Sequence, residues 1–211
     1  GILSIALLER LQSFTAIEEI RLVCYENDPN VIELLRSNLK IACSQSQKKI
    51  SFKIVSENYI LSQMADYNLM LGANLEPEKF DFVIGNPPYM KIAKDTPEAL
   101  AMPDVCYGAP NLYFLFASMS LFNLKDDGEM VYIIPRSWTS GAYFKRFRQK
   151  FLSEGALEHI HLFVSRDKVF EKESVLQETI IIKLRKTRSK PKTVTLTTTQ
   201  SNADFSKKTI F

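Results

Sequence analysis

The chain has 211 residues, of which 45% are hydrophobic and 24% charged, and it carries a formal net charge of +3. This length and composition fit one globular domain with a substantial core and exclude a chain that is disordered by default. No apolar run approaches the length of a membrane span and no signal-peptide pattern opens the chain, so we expect a cytoplasmic protein.

Hydrophobic periodicity predicts an alternation of helices and strands along the chain. Asp28 and Pro29 have the residue types of a helix N-cap and of a first-turn proline. Helices are expected over residues 2–11, 29–42, 111–124 and 142–152, and strands over 20–25, 50–56, 80–84, 130–134, 157–164 and 179–184. This alternation predicts an α/β fold with a mostly parallel sheet, helices on both faces, and ligands beyond the carboxyl ends of the strands.

The third predicted strand runs directly into the tetrapeptide Asn86, Pro87, Pro88 and Tyr89. An exocyclic amine such as that of adenine is a poor nucleophile because its lone pair is delocalised into the ring. The side-chain carbonyl of Asn86 and the backbone carbonyl of Pro87 can accept the amino hydrogens and so favour a tetrahedral nitrogen. The prolines fix the backbone, and Tyr89 offers an aromatic face. The motif points to methyl transfer onto a planar amino nitrogen; a simple turn is the alternative.

The chain resembles the NPPY class of adenine-N6 DNA methyltransferases, especially those of bacterial restriction-modification systems. Besides the tetrapeptide, the resemblance rests on CYENDP at 24–29, ENYIL at 57–61, NLYFLF at 111–116, LKDDGEMVYIIPRSW at 124–138 and the region 168–186. It implies a Rossmann-like, S-adenosylmethionine-dependent methyltransferase fold over residues 1–186, with S-adenosyl-L-methionine as cofactor and double-stranded DNA as partner. Residues 187–211 are expected to form a linker and the start of a target-recognition region.

The chain departs from this family at its first residue. Members carry a strand and a glycine-rich loop before their first helix, and Gly1 stands where the last glycine of that loop would be. The strand and most of the loop are absent. Because that strand is central in a doubly wound sheet, we expect a fragment of a longer protein that binds cofactor weakly or not at all as it stands.

The resemblance also assigns cofactor-binding residues. Glu26 stands where the family has the carboxylate that accepts from both ribose hydroxyls, although a solvated side chain is the alternative. Asn58 and Tyr59 stand where the family often has Asp and an aromatic residue that contact the cofactor's adenine. Asn replaces Asp here, and a simple loop role for Asn58 stays open.

For the target base, Tyr89 and Phe170 are the stacking candidates, and Phe170 has a core position as its alternative. Trp138 and Tyr113 are expected in the core. The segment 90–110, which follows the motif and contains several prolines, is expected to be disordered without DNA.

Positive charge is concentrated in the second part of the chain. Residues 1–135 carry 11 Lys and Arg against 17 Asp and Glu, whereas residues 136–211 carry 16 against 7. The basic residues cluster over 145–150 and 183–192, which fits phosphate contact; a solvated helix face with a charged linker is the alternative.

Cysteine and histidine suggest no metal. Cys24, Cys43 and Cys106 are widely spaced and contain no CxxC pair, so neither disulfides nor a zinc site is expected. His159 and His161 share a strand face without further candidate ligands. The alternatives to the leading hypothesis are methylation of protein glutamine or RNA, and a non-catalytic DNA-binding fragment.

Overall fold

The computed structural model describes residues 1–69, 78–108, 110–163, 178–189, 191–199 and 209–210. The chain forms two compact units, Gly1–Ser62 and Gln63–Phe211. The predicted α/β class is confirmed, because helices alternate with strands in both units and, within each sheet of the described part, most strands are parallel to one another.

The first unit is a small α/β layer around two parallel strands. Its elements are α1 (Ile2–Gln12), β1 (Glu19–Tyr25), α2 (Pro29–Gln45), β2 (Lys49–Val55) and α3 (Tyr59–Ser62). The strands pair in register from Glu19 with Lys49 to Tyr25 with Val55. Asp28 caps α2, as predicted, by accepting a hydrogen bond from the Asn30 N–H at 2.9 Å. The buried core consists of Leu8, Leu11, Ile20, Cys24, Leu35 and Leu39.

The second unit is built on a larger mixed sheet. Its helices are α4 (Met64–Leu69), α5 (Pro97–Ala101), α6 (Leu112–Asn123) and α7 (Lys145–Glu154), and its strands are β3 (Phe80–Gly85), β4 (Leu124–Pro135), β5 (Gly155–Phe163), β6 (Thr179–Lys186), β7 (Thr195–Thr199) and β8 (Thr209–Ile210). The strand order is β3-β4-β6-β5-β7-β8. β3 pairs in parallel with β4, and β5 with β7, whereas β6 and β8 run antiparallel to their neighbours.

Two elements of the second unit differ from the prediction. β4 begins at Leu124, several residues before the predicted start, and the predicted turn around Asp127 lies inside it as a register shift with a positive φ of 62°. β7 lies in the segment assigned to a linker and a further region, yet it joins this sheet beside β5. The proposed domain boundary at residue 186 stays a prediction.

Helix α6 lies in the core of the second unit. Its sequence is apolar around nearly the whole circumference, and all of its residues except Phe116 are buried. Such a helix has no face for solvent, so it must be covered on all sides. A cluster of stacked and edge-to-face rings adjoins it, formed by Phe114, Trp138, Phe147 and Phe151.

A network of four charges crosses β4, β5 and β6. Lys183 contacts Glu129 and Glu158, each at 3.0 Å. Arg185 contacts the same two carboxylates and donates to the Asp127 backbone carbonyl at 3.1 Å. Burial alone would raise the pKa of Glu158, but hydrogen bonds from Arg185 and Lys183 outweigh it and hold that pKa below its usual range.

The thiols of the chain are free and protonated at neutral pH. Burial raises the pKa of Cys24 and of Cys43, and burial together with the nearby Asp104 carboxylate raises that of Cys106 to about 11. A raised thiol pKa leaves little thiolate, which is the reactive form.

The Glu158 pairs predict a defined pH dependence of stability. A carboxylate whose pKa is lower in the folded than in the unfolded state stabilises the fold above its ordinary value of 4.5, and this stabilisation is lost as the pH falls through the lowered value. We expect Glu158→Gln to be less stable than the wild type at neutral pH, with the difference narrowing on acidification. Urea unfolding between about pH 7 and pH 3 measures this. A difference that stays constant with pH would contradict the assignment.

Candidate active site

The NPPY motif begins where β3 ends, at the carboxyl end of a strand that pairs in parallel with β4. Asn86 and Pro88 are exposed, Pro87 is buried and Tyr89 is half-buried. Asn86 therefore presents a polar side chain to solvent from a backbone whose next residue is packed into the protein. This is the position that the α/β pattern predicts for a ligand site.

Gly85 lets β3 approach its neighbour closely just before the motif. It pairs with Tyr132 of β4, and a Cβ atom at Gly85 would lie 2.7 Å from the nearest atom of the Tyr132 ring. The Tyr132 hydroxyl in turn shares a 2.6 Å hydrogen bond with the buried Ser120 hydroxyl of α6. The backbone that leads to Asn86 is thus fixed by a contact that only glycine permits.

The Tyr89 hydroxyl reaches two acceptors. It lies 2.7 Å from Asn86 Oδ1 and 2.9 Å from the backbone oxygen of Ile133 in β4. A phenol has one proton, so it donates to one of them at a time. A carbonyl oxygen can accept two hydrogen bonds, and Asn86 Oδ1 therefore keeps capacity for a substrate donor even while Tyr89 holds it.

The backbone after the motif is fastened to the start of α6. The Leu112 N–H donates to the Met90 carbonyl at 2.9 Å, and the Ile92 N–H donates to the Pro110 carbonyl at 2.8 Å. An isolated β-bridge joins Lys91 to Asn111 between these bonds. These hydrogen bonds join the two ends of the segment 90–110 to each other.

The expectation of disorder for the segment 90–110 is wrong for its described part. The segment forms α5 and buries Ala99, Met102 and Val105. The segment lacks a regular hydrophobic pattern, but it is ordered because these small and apolar side chains are packed in the core.

Tyr113 and Trp138 lie in the core, as predicted, with exposed fractions of 1% and 2%. The Tyr113 ring stands nearly perpendicular to that of Tyr89, with centroids 6.4 Å apart. Phe170 lies outside the described residues, so its stacking role stays a prediction.

The four predicted cofactor-binding residues belong to the first unit. Gly1 is the N-cap of α1, and a Cβ there would lie 2.5 Å from Leu35 Cδ1. Glu26 directly follows β1 and is half-buried; its Oε1 accepts from the Asp28 N–H at 3.0 Å. The other carboxylate oxygen has no partner among the residues that the structure describes. It can accept a hydroxyl donor, as the ribose role requires.

Asn58 and Tyr59 differ in how well they suit their predicted roles. Asn58 Oδ1 accepts from the N–H groups of Ile60 and Leu61, both at 3.1 Å, so it acts as an N-cap of α3. Both lone pairs are then in use, and acceptance from a cofactor amine competes with this cap. Tyr59 is half-buried and makes an edge-to-face contact with Tyr25 at a centroid distance of 4.7 Å.

Most cations of the two basic stretches are already engaged within the protein. Arg148 donates to the carbonyls of Trp138, Ser140 and Gly141. Arg146 donates to the Cys106 carbonyl, and Lys186 donates to the Phe122 and Leu124 carbonyls. Lys150 forms ion pairs with Asp104 and Glu154, and Lys183 and Arg185 belong to the four-charge network. These six cations take part in the fold, and phosphate contact by the two stretches stays a prediction.

Two exposed lysines lie close in sequence to the motif. Lys91 and Lys94 follow Tyr89 by two and five residues, and their side chains have no ion-pair or hydrogen-bond partner among the described residues. The anchored backbone of Met90 and Ile92 holds Lys91 at the surface. Composition did not single these lysines out, because the first part of the chain is acidic overall.

The histidines on β5 serve strand pairing. Both His159 Nε2 and His161 Nδ1 lie within 2.8 Å of the Thr197 hydroxyl of β7, and His161 Nε2 lies 3.1 Å from that of Thr199. Within the described ranges, no group of three or more His, Cys, Asp and Glu side chains is arranged for a metal ion. No helix among these residues has the length and apolar character needed to cross a membrane.

The chain is similar in sequence to known proteins. The family model described as Eco57I restriction-modification methylase matches residues 10–170. Type II methyltransferase M.PstI of Providencia stuartii is 36% identical over 183 residues, which cover 85% of this chain and 35% of that protein. Type II methyltransferase M.BsuBI of Bacillus subtilis is 37% identical over 141 residues, 65% of this chain and 28% of that protein. The chain spans about a third of the length of these relatives.

Solved structures show the same fold at low sequence identity. A protein described as a class I S-adenosylmethionine-dependent methyltransferase from Listeria monocytogenes matches with a TM-score of 0.61 and 17% identity, covering 98% of this chain and 66% of that one. The type IIG restriction endonuclease BpuSI matches with a TM-score of 0.65 and 18% identity, covering 94% and 26%. The Rossmann-like methyltransferase fold is thereby confirmed.

The close approach at Gly85 gives a prediction about stability. Gly85→Ala places a methyl group against the Tyr132 ring, and overpacking of this kind costs about 1–3 kcal/mol. Urea denaturation measures the loss. The cost should shrink in a Tyr132→Leu background, where the ring is gone; an equal cost in both backgrounds would mean that the clash is not its cause.

Proposed function

Because the chain belongs to the family of Eco57I restriction-modification methylases, we propose that it transfers a methyl group from S-adenosyl-L-methionine to the N6 amino group of an adenine in a specific DNA site, within a restriction-modification system. The observation that carries the proposal is Asn86, exposed at the carboxyl end of a parallel strand with its carbonyl oxygen held by Tyr89. The family and the site chemistry support the same reaction.

The amine is activated without a titrating group. Asn86 Oδ1 and the Pro87 carbonyl each accept one amino hydrogen, so the nitrogen is drawn from planar towards tetrahedral and its lone pair becomes available for attack. The buried Pro87 and the fixed backbone around Gly85 hold these acceptors before the substrate arrives. Acceptors that are already in place need little reorganisation when the transition state forms.

The adenine must leave the duplex, because its amino group is not accessible inside the base stack. The half-buried ring of Tyr89 provides a stacking surface beside the two acceptors. Base stacking on an aromatic side chain contributes about 1–3 kcal/mol, which offsets part of the cost of unstacking. Phe170 is the proposed second wall.

The first unit supplies the cofactor-binding residues. The carboxylate oxygen of Glu26 that lacks a partner in the described part of the chain fits the ribose hydroxyls, and the ring of Tyr59 fits the adenine. When bound, S-adenosyl-L-methionine supplies an electrophilic methyl group on sulfonium. Gly1 is the N-cap of α1, at the end of the helix where backbone N–H groups are left without intrahelical partners.

The first experiment tests the reaction and the role of Asn86 together. The intact protein that contains this chain is incubated with isotopically labelled S-adenosylmethionine and unmethylated bacterial DNA, and the nucleosides are analysed by mass spectrometry. We expect label in N6-methyldeoxyadenosine. Asn86→Ala should reduce it by at least about 100-fold, the cost of losing one positioned group in an electrostatic site.

The matched control is Asn38→Ala, which removes the same side chain from an exposed position on α2. It should methylate DNA as the wild type does. Label in a protein glutamine or in RNA, with none in DNA, would show that the substrate is protein or RNA and not DNA. DNA binding without transfer of label to any acceptor would show that the chain is a non-catalytic DNA-binding module.

A second prediction concerns contact with the DNA backbone. Lys91 and Lys125 are both exposed lysines of the second unit, but Lys125 is paired with Asp81 at 2.9 Å. Each contact to a phosphate adds about 0.9 to the slope of log affinity against log salt. Lys91→Ala should lower this slope by about one, and Lys125→Ala should not. Equal slopes in both variants would exclude Lys91 from the interface.

A further inference from the structure

Tyr113 is a buried tyrosine whose two polar contacts fix it at the start of α6. Its backbone N–H donates to the capping side chain of Asn111 at 3.3 Å, and its hydroxyl forms a 3.2 Å hydrogen bond with the Ser137 hydroxyl. Burial raises its pKa to about 12, so the ring stays a neutral phenol at neutral pH. Phe114 and Phe144 pack against the same ring.

Tyr89 meets this fixed ring edge to face. The two rings are 6.4 Å apart at an angle of 89°, which is a favourable geometry for an aromatic pair. The Tyr89 hydroxyl lies within hydrogen-bonding distance of Ile133 in β4, and Ser137 lies in the 3₁₀ helix Arg136–Thr139 directly after that strand. Both tyrosines are therefore tied to the same end of β4 by their hydroxyl groups.

We propose that Tyr113, held by Ser137, is a positioning residue that sets the ring of Tyr89 for the target base. The proposal rests on the proposed function, since it assigns a support to the stacking surface used in that reaction. Tyr113 is 1% exposed, so it acts through Tyr89 and not by touching DNA. Without the Ser137 bond, the Tyr113 ring loses its fixed orientation, and Tyr89 loses the rigid wall against which it packs.

A purely structural role for Tyr113 predicts something different. Loss of this part-buried hydrogen bond would lower the free energy of unfolding and would affect activity equally whether or not residue 89 is a tyrosine. A positioning role requires that the effect on kcat/KM depend on Tyr89. Coupling between the two residues therefore separates the two explanations.

The experiment measures kcat/KM for DNA methylation by the intact protein in a double-mutant cycle. Tyr113→Phe keeps the ring and removes the bond to Ser137, and Ser137→Ala removes the same bond from the other side. Each should lower kcat/KM by roughly two- to tenfold, the range given by one neutral hydrogen bond, and together they should lower it no further. In a Tyr89→Leu background, Tyr113→Phe should have no additional effect.

The control is Tyr107→Phe, which removes a hydroxyl from a tyrosine that is 59% exposed and should leave kcat/KM unchanged. Thermal melting of every variant identifies loss of fold. An equal effect of Tyr113→Phe in the wild-type and Tyr89→Leu backgrounds, or no effect in a folded protein, would overturn the positioning role. If the wild type transfers no methyl group to DNA, the proposed function fails instead, so the two failures are distinguishable.

Discussion

The burial of α6 is the constraint on which the second unit depends. Ser120 of α6 bonds to Tyr132 of β4, the Tyr132 ring packs on Gly85, and Gly85 leads directly into Asn86. The N-terminal end of the helix fastens the backbone after the motif. At its C-terminal end, Lys79 and Lys186 both donate to the Phe122 carbonyl, which compensates the free carbonyls and the negative end of the helix dipole. One buried helix thus fixes the backbone on both sides of the site.

The sequence predicted the long elements well because their apolar periodicity is strong and their caps are local. Asp28 and Asn111 cap their helices through bonds to residues two positions away, so the pattern is visible in a few letters. The short helices α3, α4 and α5 were not predicted, since four to six residues carry too little periodicity. The motif and its place after β3 were predicted in full, but its support by Ile133, 44 residues away, depends on strand pairing.

The basic residues show that charge composition does not reveal which cations are engaged within the fold. A cluster of Lys and Arg reports only how many cations lie near one another in sequence, whereas binding depends on which of them are free. Arg148 donates a hydrogen bond to the backbone carbonyl of Trp138. Arg185 joins its own strand to the two neighbouring strands by binding their acidic residues. Shared cations of this kind fix the geometry of the backbone and of neighbouring strands. The acidic part of the chain meanwhile contains exposed lysines beside the motif.

The protonated state of the three thiols has a consequence for redox chemistry. Oxidation to sulfenic acid and exchange with disulfides both start from the thiolate, and a raised pKa keeps Cys24, Cys43 and Cys106 in the inert form. Peroxide therefore finds no fast-reacting sulfur among them.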